Sequence, residues 1–376
     1  MFADNWKISL RQIERLLILD LFGLSSLLLP GILGKMTGAD GIFCLILGMA
    51  GAGILLFLIK RTLMQIQKDY YSYLKENAGQ LLGDVFMVFY LIYFISLSGF
   101  VLYQTTSLIL AWLLPEGSYL WINILLLAFG GYGVIRGIEG RARVYEIIFW
   151  FLGVPLVFML GLAVRKVNVD YWTPIVATSG GEILKGSMNV WILLLPLSTI
   201  LFLRPYCKTP EKLALCGKHA LITVTTINLI IYLILVGVFG HNTLQVLKRP
   251  VITLMSMINF PGGVFSSQGI TMTFVWFFAL FALFNTGIFQ SNLLLKSMCH
   301  ETQDRYSLLV VLLLILLCTG AFFENSMMTE LFMTYQTWIV LPGMIGILLL
   351  LQGIVQIRKW CGRGKGGKVS CLKKVS

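Results

Sequence analysis

Residues 13–33, IERLLILDLFGLSSLLLPGIL, form an apolar run long enough to cross a membrane, but small and helix-breaking residues interrupt it. Gly23, Leu24, Ser25 and Ser26 occupy its middle, and Pro30 follows one turn later. In lipid, non-helical backbone is tolerated only where it lines a cavity enclosed by protein. The run therefore predicts a first helix that is broken at a small-molecule site. Packing of small residues between neighbouring helices is the alternative interpretation.

The composition indicates an all-α polytopic membrane protein. Of 376 residues, 57% are hydrophobic and only 12% are charged, and the mean hydropathy is +0.85. Apolar stretches of roughly 18 residues or more predict ten transmembrane helices. We expect one transmembrane domain over residues 1–360 and a basic cytoplasmic tail over residues 361–376. The predicted spans cover approximately residues 13–33, 41–59, 83–113, 119–135, 144–164, 188–203, 220–240, 270–295, 308–323 and 331–357.

The distribution of basic residues predicts the orientation of the chain. If the amino terminus lies inside, the inner segments hold 23 of the 29 Lys and Arg residues and the outer segments hold 6. The positive-inside rule then places both termini in the cytoplasm. The formal net charge of +12 is spread over short loops and the tail, so it favours contact with anionic membrane lipid over binding of nucleic acid.

The sequence offers no pattern typical of metal, cofactor or catalytic chemistry. The seven cysteines and three histidines are scattered, and no Cys-x-x-Cys pair occurs. No phosphate-binding loop or cofactor motif is present either. We therefore expect a protein without cofactor or metal that is not an enzyme.

The sixth predicted span contains a second interruption. Pro196 is followed by Ser198 and Thr199 in the middle of the apolar run. Proline frees a carbonyl one turn earlier and hydroxyls can bond to it, so a simple kink is the alternative to a break. Two interrupted helices that lie five spans apart are typical of inverted-repeat transporters with a site at the membrane midplane. We expect the repeats to cover approximately residues 8–165 and 186–357.

Polar residues within the spans are candidates for the lining of that site. Asp20 lies on the same helix face as Gly23, and it could bind a ligand ammonium, carry a proton or coupling ion, or form a structural ion pair with Arg143 or Arg136. Tyr103 on the third span, with Asn285 and Thr286 on the eighth, could complete the lining. Hydrogen bonding between helices is the alternative for each of these polar residues.

A short helix is also expected between the seventh and eighth spans. Pro250 precedes an apolar stretch over residues 251–258, and a Pro-Gly-Gly sequence follows at residues 261–263. Proline at a helix start and a glycine-rich stop predict a helix lying across the outer face of the protein. It could act as a lid or simply lie in the membrane interface.

Several short motifs, in order, resemble the B-subunit family of bacterial spore nutrient germinant receptors. This is the GerAB-like group of endospore germination permeases within the amino acid/polyamine/organocation superfamily. No single motif is specific, but their order along nearly the whole chain is. The motifs are Lys7-Ile8-Ser9 with Gln12, Gly23-x-Ser25-x-x-x-x-Pro30, Asp40-Gly41, Tyr73-Leu74-Lys75-Glu76, Gly137-Ile138-Glu139-Gly140-Arg141 with Arg143 and Glu146, Pro174, Arg249-Pro250 and Leu341-Pro342.

The resemblance implies a fold of the leucine-transporter type, with two inverted repeats of five helices and with helices 1 and 6 broken. It also implies recognition of a small nutrient, often an amino acid, in the spore inner membrane. The implied partners are an A-type subunit and a C-type lipoprotein subunit. A working amino acid permease and a purely structural scaffold for partner subunits are the alternatives.

Overall fold

The computed structural model describes residues 7–173, 178–257, 268–299, 304–323 and 327–369, and these residues are nearly all helical. Seven helical stretches are long and apolar enough to cross a membrane. They are Leu10–Leu63, Gln80–Trp112, Gly137–Lys166, Gly180–Tyr206, Pro210–Val246, Thr273–Cys299 and Thr329–Arg358, and Tyr119–Ile135 and Tyr306–Phe322 are shorter apolar helices. Large apolar side chains such as Trp121 and Ile147 point outward, each 71% exposed, as expected of a surface that faces lipid.

The first of these stretches contains two helices joined by a 3-10 turn. Many helix bounds lie close to the spans expected from the sequence, because apolar length sets both. The α-helices are α1 (Leu10–Thr37), α2 (Gly41–Leu63), α3 (Tyr70–Ala78), α4 (Gln80–Trp112), α5 (Tyr119–Ile135), α6 (Gly137–Ala163), α7 (Gly180–Leu193), α8 (Ile200–Leu203), α9 (Leu213–Val246), α10 (Pro250–Ser256), α11 (Gln268–Cys299), α12 (Asp304–Phe323), α13 (Met328–Tyr335) and α14 (Leu341–Val369).

The predicted break in the first helix is wrong. Helix α1 runs without interruption for 28 residues through the glycine, both serines and Pro30. The Ser25 hydroxyl donates to the Leu21 carbonyl at 2.6 Å, and the Ser26 hydroxyl donates to the Phe22 carbonyl at 2.7 Å. Because these hydroxyls bond back to their own helix, they add to its hydrogen bonding and leave the backbone helical. Packing of small residues, the alternative interpretation, therefore describes α1.

The predicted break in the sixth span is confirmed. Helix α7 ends at Leu193, a 3-10 turn covers Leu195–Thr199, and the short helix α8 follows. Pro196 stands at the start of the turn, where its missing N–H removes a helical hydrogen bond. The whole turn is buried, so this irregular backbone lies inside the protein, as it must within a membrane.

Two further irregular turns lie in long helices. Gly240 in α9 adopts φ 67° and ψ 175°, which only glycine takes up at little cost. A π-helical turn over Gln336–Val340 joins α13 to α14, and such turns occur often at functional sites. Neither feature was predicted from the sequence, because a lone glycine and a Gln-Thr-Trp-Ile-Val segment carry no specific signal for a break.

Helix α1 lies in the centre of the molecule, against α9 and α11, and α4 packs along α11. Its start is fixed by a capping box, in which the Ser9 hydroxyl accepts from the Gln12 N–H and the Gln12 side chain accepts from the Ser9 N–H. Just before the cap, the Ile8 N–H donates to the Tyr206 carbonyl at 2.8 Å. The amino-terminal end of α1 is thereby attached to the chain that follows α8.

The short helix expected after the seventh span is present as α10. Pro250 begins it, and Val251, Ile252, Leu254 and Met255 are fully buried. It packs against α1, α9 and α11, so it lies over the core rather than only on the membrane surface. The Pro-Gly-Gly stop at residues 261–263 lies outside the described residues. At the carboxyl end, α14 continues through the first nine residues of the predicted tail, to Val369.

Candidate functional site

A buried polar network connects Asp20 on α1 to Arg141 on α6 through Thr286 on α11. The Thr286 hydroxyl donates to Asp20 Oδ1 at 2.8 Å and accepts from Arg141 Nη2 at 2.7 Å. Asp20 is 0% exposed and Arg141 is 3% exposed. Since isolated buried charges are costly in protein and membrane interiors, a hydroxyl placed between carboxylate and guanidinium stabilises both.

Aromatic and amide groups surround the guanidinium of this network. Arg141 lies over the Phe289 ring at 4.5 Å and donates to the Tyr145 hydroxyl at 3.3 Å. Tyr145 in turn donates to the Ala282 carbonyl at 2.8 Å, and Asn285 Nδ2 donates to the Gly130 carbonyl at 2.8 Å. The network therefore joins four helices, α1, α5, α6 and α11, around one buried pair of charges.

The two arginines suggested as partners of Asp20 are the wrong ones. Arg143 forms an ion pair with Glu139 at 3.7 Å, and Arg136 donates to the Tyr132 hydroxyl. Arg141 points inward from α6 in their place. In the sequence, Arg141 was noted only as part of a motif shared with the resembling family. Residues 136–143 hold three arginines, and the sequence alone does not reveal which of them is buried.

Gly23, Leu24, Ser25 and Ser26 are fully buried against other helices. A Cβ at Gly23 would lie 2.8 Å from the Ala279 backbone carbon of α11, so glycine permits close contact between α1 and α11. The serine hydroxyls also accept bonds from other helices. Asn228 Nδ2 of α9 donates to Ser25 at 2.9 Å, and Trp276 Nε1 of α11 donates to Ser26 at 3.0 Å. Neither Asn228 nor Trp276 was singled out from the sequence.

Hydroxyl groups without partners gather at the break in the sixth span. Ser198 and Thr199 are each 1% exposed, and neither side-chain oxygen has a hydrogen-bond partner among the described residues. The Tyr93 hydroxyl of α4, also buried, lies beside Ser198, although the two atoms do not meet hydrogen-bond geometry. Buried hydroxyls usually have partners, so this cluster is suited to a polar ligand.

A second unpartnered polar group lies on the π-helical turn. Gln336, in the π-helical turn, is 2% exposed, and its side-chain oxygen and nitrogen both lack partners among the described residues. Helix α7 contacts this turn. An amide supplies both donors and an acceptor, so Gln336, like Ser198 and Thr199, offers buried polar groups to a ligand. We define Tyr93, Ser198, Thr199 and Gln336 as the break cluster.

Tyr103 and Asn285 do not belong to the break cluster. Tyr103 lies ten residues beyond Tyr93 on α4, a rise of about 15 Å, and packs near the rings of Phe100 and Phe322. Asn285 bonds to α5, as described above. Pro196 lies in the irregular turn itself. The predicted set of site residues therefore divides among the break cluster, the Asp20 network and helix contacts.

The described residues contain no group of three or more His, Cys, Asp or Glu side chains placed to hold a metal ion. Five of the cysteines are free thiols, namely Cys44, Cys207, Cys216, Cys299 and Cys318. The polar groups at the break are hydroxyls and an amide, which suit an organic ligand better than a transition metal.

The fold is similar to that of a solved transporter. The structure of a Na⁺-coupled sialic acid symporter, in its substrate-bound outward-open state, matches 90% of this chain and 78% of its own with a TM-score of 0.56. The two sequences are only 13% identical. The likeness therefore describes the fold alone.

Sequence relatives are spore germination proteins of Bacillus subtilis strain 168. Spore germination protein YndE is 24% identical over 300 residues, which cover 78% of this chain and 81% of that protein. Spore germination protein KB is 29% identical over 148 residues, which cover 39% of each chain. The profile of the spore germination protein family, Spore_permease, matches residues 7–331. This helical membrane protein therefore belongs to the spore germination protein family.

Proposed function

We propose that the protein is the B-type subunit of a spore germinant receptor and binds a small nutrient, most simply an amino acid, at the break cluster. The observation that carries this proposal is the set of buried hydroxyls without partners at Ser198 and Thr199. Membership of the spore germination protein family supports the role in germination. A receptor of this kind carries out no catalysis.

The chemistry of the break cluster suits a zwitterion. Hydroxyl groups donate to a carboxylate and also accept from an ammonium. The carboxyl end of α7, a 14-residue helix, reaches the break and carries the negative end of the helix dipole, which favours a cation. A free amino acid carries its ammonium and its carboxylate on the same carbon atom, so one ligand could form hydrogen bonds on both sides of the break.

The proposed architecture has ten transmembrane helices in two inverted repeats of five, over approximately residues 8–165 and 186–357. The symporter-like fold supports it. The continuous α1 and the interrupted sixth span make the two repeats unequal. We further propose that both termini face the cytoplasm, in agreement with the positions of the basic residues, and that the membrane is the spore inner membrane.

Replacing Ser198 with alanine is expected to lower the affinity for the nutrient about tenfold, because one hydrogen bond to a charged ligand group is worth about 1.5 kcal/mol. The measurement is equilibrium binding of radiolabelled amino acids to the purified protein in liposomes. Ser187→Ala is the matched control, since Ser187 lies on α7 and already bonds to the Ile183 carbonyl at 2.6 Å. Equal affinity for the nutrient in both variants would show that Ser198 does not contact it.

Transport of the nutrient is a second candidate function, and the buried Asp20 favours it. Its Oδ2 has no partner among the described residues, and a buried carboxylate of this kind could carry a proton or coupling ion. A receptor needs only a shift between two states that bind the ligand differently, whereas a transporter must move solute.

Liposomes separate these two functions. We expect saturable amino acid binding with little concentrative uptake under a proton or sodium gradient, both for the chain alone and with A-type and C-type subunits, which should co-purify with it. Strong gradient-driven accumulation by the chain alone, lost in Asp20→Asn, would establish the permease. The parent chain in liposomes without a gradient is the control.

A further inference from the structure

A cavity of about 600 Å³ lies in a groove between α5 and α6, with α11 as its floor. The two helices meet at a tight turn, where Gly137 adopts φ 71°, and α11 contacts both of them. Helices α6 and α11 lie in stretches long and apolar enough to cross a membrane, and α5 is a shorter apolar helix, so the molecule next to the groove would be lipid.

The groove is polar at one end and apolar along the rest. Arg136, Arg141 and Arg143 line the end near the turn. Asp20 balances Arg141 and Glu139 balances Arg143, which leaves a formal excess of one positive charge. Toward the other end the walls are aromatic and aliphatic. Examples are Leu126, Phe129, Ile148, Phe277, Phe278 and Phe281.

The length of the groove fits one membrane leaflet. Its lining runs from Leu126 on α5 to Arg136, which directly follows that helix, a rise of ten residues or about 15 Å. The hydrocarbon core of a bilayer is about 30 Å thick, so the groove extends over about half of it. An acyl chain along the aromatic wall would therefore place its headgroup at the arginines.

We propose that this groove is a specific site for an anionic phospholipid. The headgroup phosphate pairs with Arg136 and Arg143, and one acyl chain packs along Phe277, Phe278 and Phe281. Arginine suits this task because its planar fork matches the oxygens of a phosphate. Basic grooves between membrane helices are known to hold anionic headgroups. Neither the nutrient site nor the germination role is needed for this inference.

The groove also reaches the buried charge network. Arg141, Tyr145 and Asn285 line it, and Arg141 donates to the Thr286 hydroxyl that bonds to Asp20. The Arg141 Nε–H has no acceptor among the described residues. A negative headgroup nearby would favour the guanidinium charge, so bound lipid would stabilise the contact between α1, α6 and α11.

Thermal unfolding of the full-length protein in detergent tests this site, with dioleoylphosphatidylglycerol, dioleoylphosphatidylcholine or glycerol 3-phosphate added in turn. We expect dioleoylphosphatidylglycerol to stabilise the protein against unfolding at a concentration at least tenfold lower than the concentration of dioleoylphosphatidylcholine that has the same effect. Glycerol 3-phosphate should have no effect. Stabilisation by glycerol 3-phosphate alone would mean a site for a free phosphate compound. Equal effects of the two lipids would overturn the proposal.

Variants separate the headgroup contact from general surface charge. Arg136→Gln should raise by about fivefold the concentration of dioleoylphosphatidylglycerol that is needed to stabilise the protein against unfolding. Arg61→Gln is the control, because Arg61 is an exposed arginine at the end of α2, away from the groove. Val144→Trp, which fills the groove from an exposed position, should weaken the lipid effect with every arginine intact. An unchanged lipid effect in both groove variants would place the lipid elsewhere.

Discussion

Arg141→Met is expected to lower the free energy of unfolding by about 3–5 kcal/mol, because it leaves the buried carboxyl group of Asp20 without its cation. The Thr286 hydroxyl bridges Arg141 and Asp20, at 2.7 and 2.8 Å. The double variant Asp20→Asn/Arg141→Met should recover most of the loss, since removing both charges also removes the cost of burying them. Reversible unfolding of the purified protein in mixed micelles gives the four free energies of the cycle.

Arg11→Met is the matched control for this cycle. Arg11 is a 74% exposed arginine that lies 3.3 Å from Glu146, and Glu146 keeps its closer contact with Arg15 at 2.7 Å. An exposed ion pair contributes about 1 kcal/mol or less. A loss in Arg141→Met no larger than that in Arg11→Met, or no recovery in the double variant, would show that the three residues do not act as one network.

Gly23→Leu is expected to abolish the nutrient response and to lower the free energy of unfolding by about 1–3 kcal/mol, the usual cost of overpacking a core. A Cβ at Gly23 would meet the backbone of α11 at 2.8 Å, and that backbone cannot move aside as a flexible side chain can. Helices α1 and α11 would have to separate, which also displaces Asp20 from Thr286. Germination of spores carrying the variant and unfolding of the purified protein measure the two effects.

Gly53→Leu provides the control, since Gly53 lies in helix α2 and a Cβ there would meet no heavy atom within 4 Å. Leucine favours helix more than glycine, so this variant should keep full stability and response. Spores with Gly23→Leu that germinate as readily as spores with Gly53→Leu would contradict the close contact between α1 and α11.

Apolar length allowed the sequence to predict most of the helices, and the proline in the sixth span allowed it to predict the break there. The same reasoning failed at α1, although Gly23, Ser25 and Ser26 looked more disruptive. Whether a serine breaks a helix depends on the group to which its hydroxyl forms a hydrogen bond. Here both hydroxyls donate to carbonyls one turn earlier in the same helix. That choice depends on the neighbouring helices, which a single sequence does not specify.

The candidate site shows the same limit. Polar residues in apolar spans are costly to bury and are therefore candidates for a function. This reasoning identified Asp20, Thr286, Ser198 and Thr199. Tyr93 was not, because tyrosine is common in apolar helices and its burial at the break depends on how α4 packs. The separation of Tyr103 from the break follows from its distance to Tyr93 along α4, and it can be calculated only once the structure has placed Tyr93 at the break.

The backbone bonds between Ile8 and the chain around Tyr206 link the start of helix α1 to the irregular segment that contains the break and α8. The Ile8 N–H bonds to the Tyr206 carbonyl, and the Lys208 N–H bonds to the Ile8 carbonyl at 3.4 Å. Helix α8 is only four residues long, so it has little stiffness of its own to resist a pull at the break. Any shift of α8 that keeps these bonds must therefore also move residue 8 and the first turn of α1.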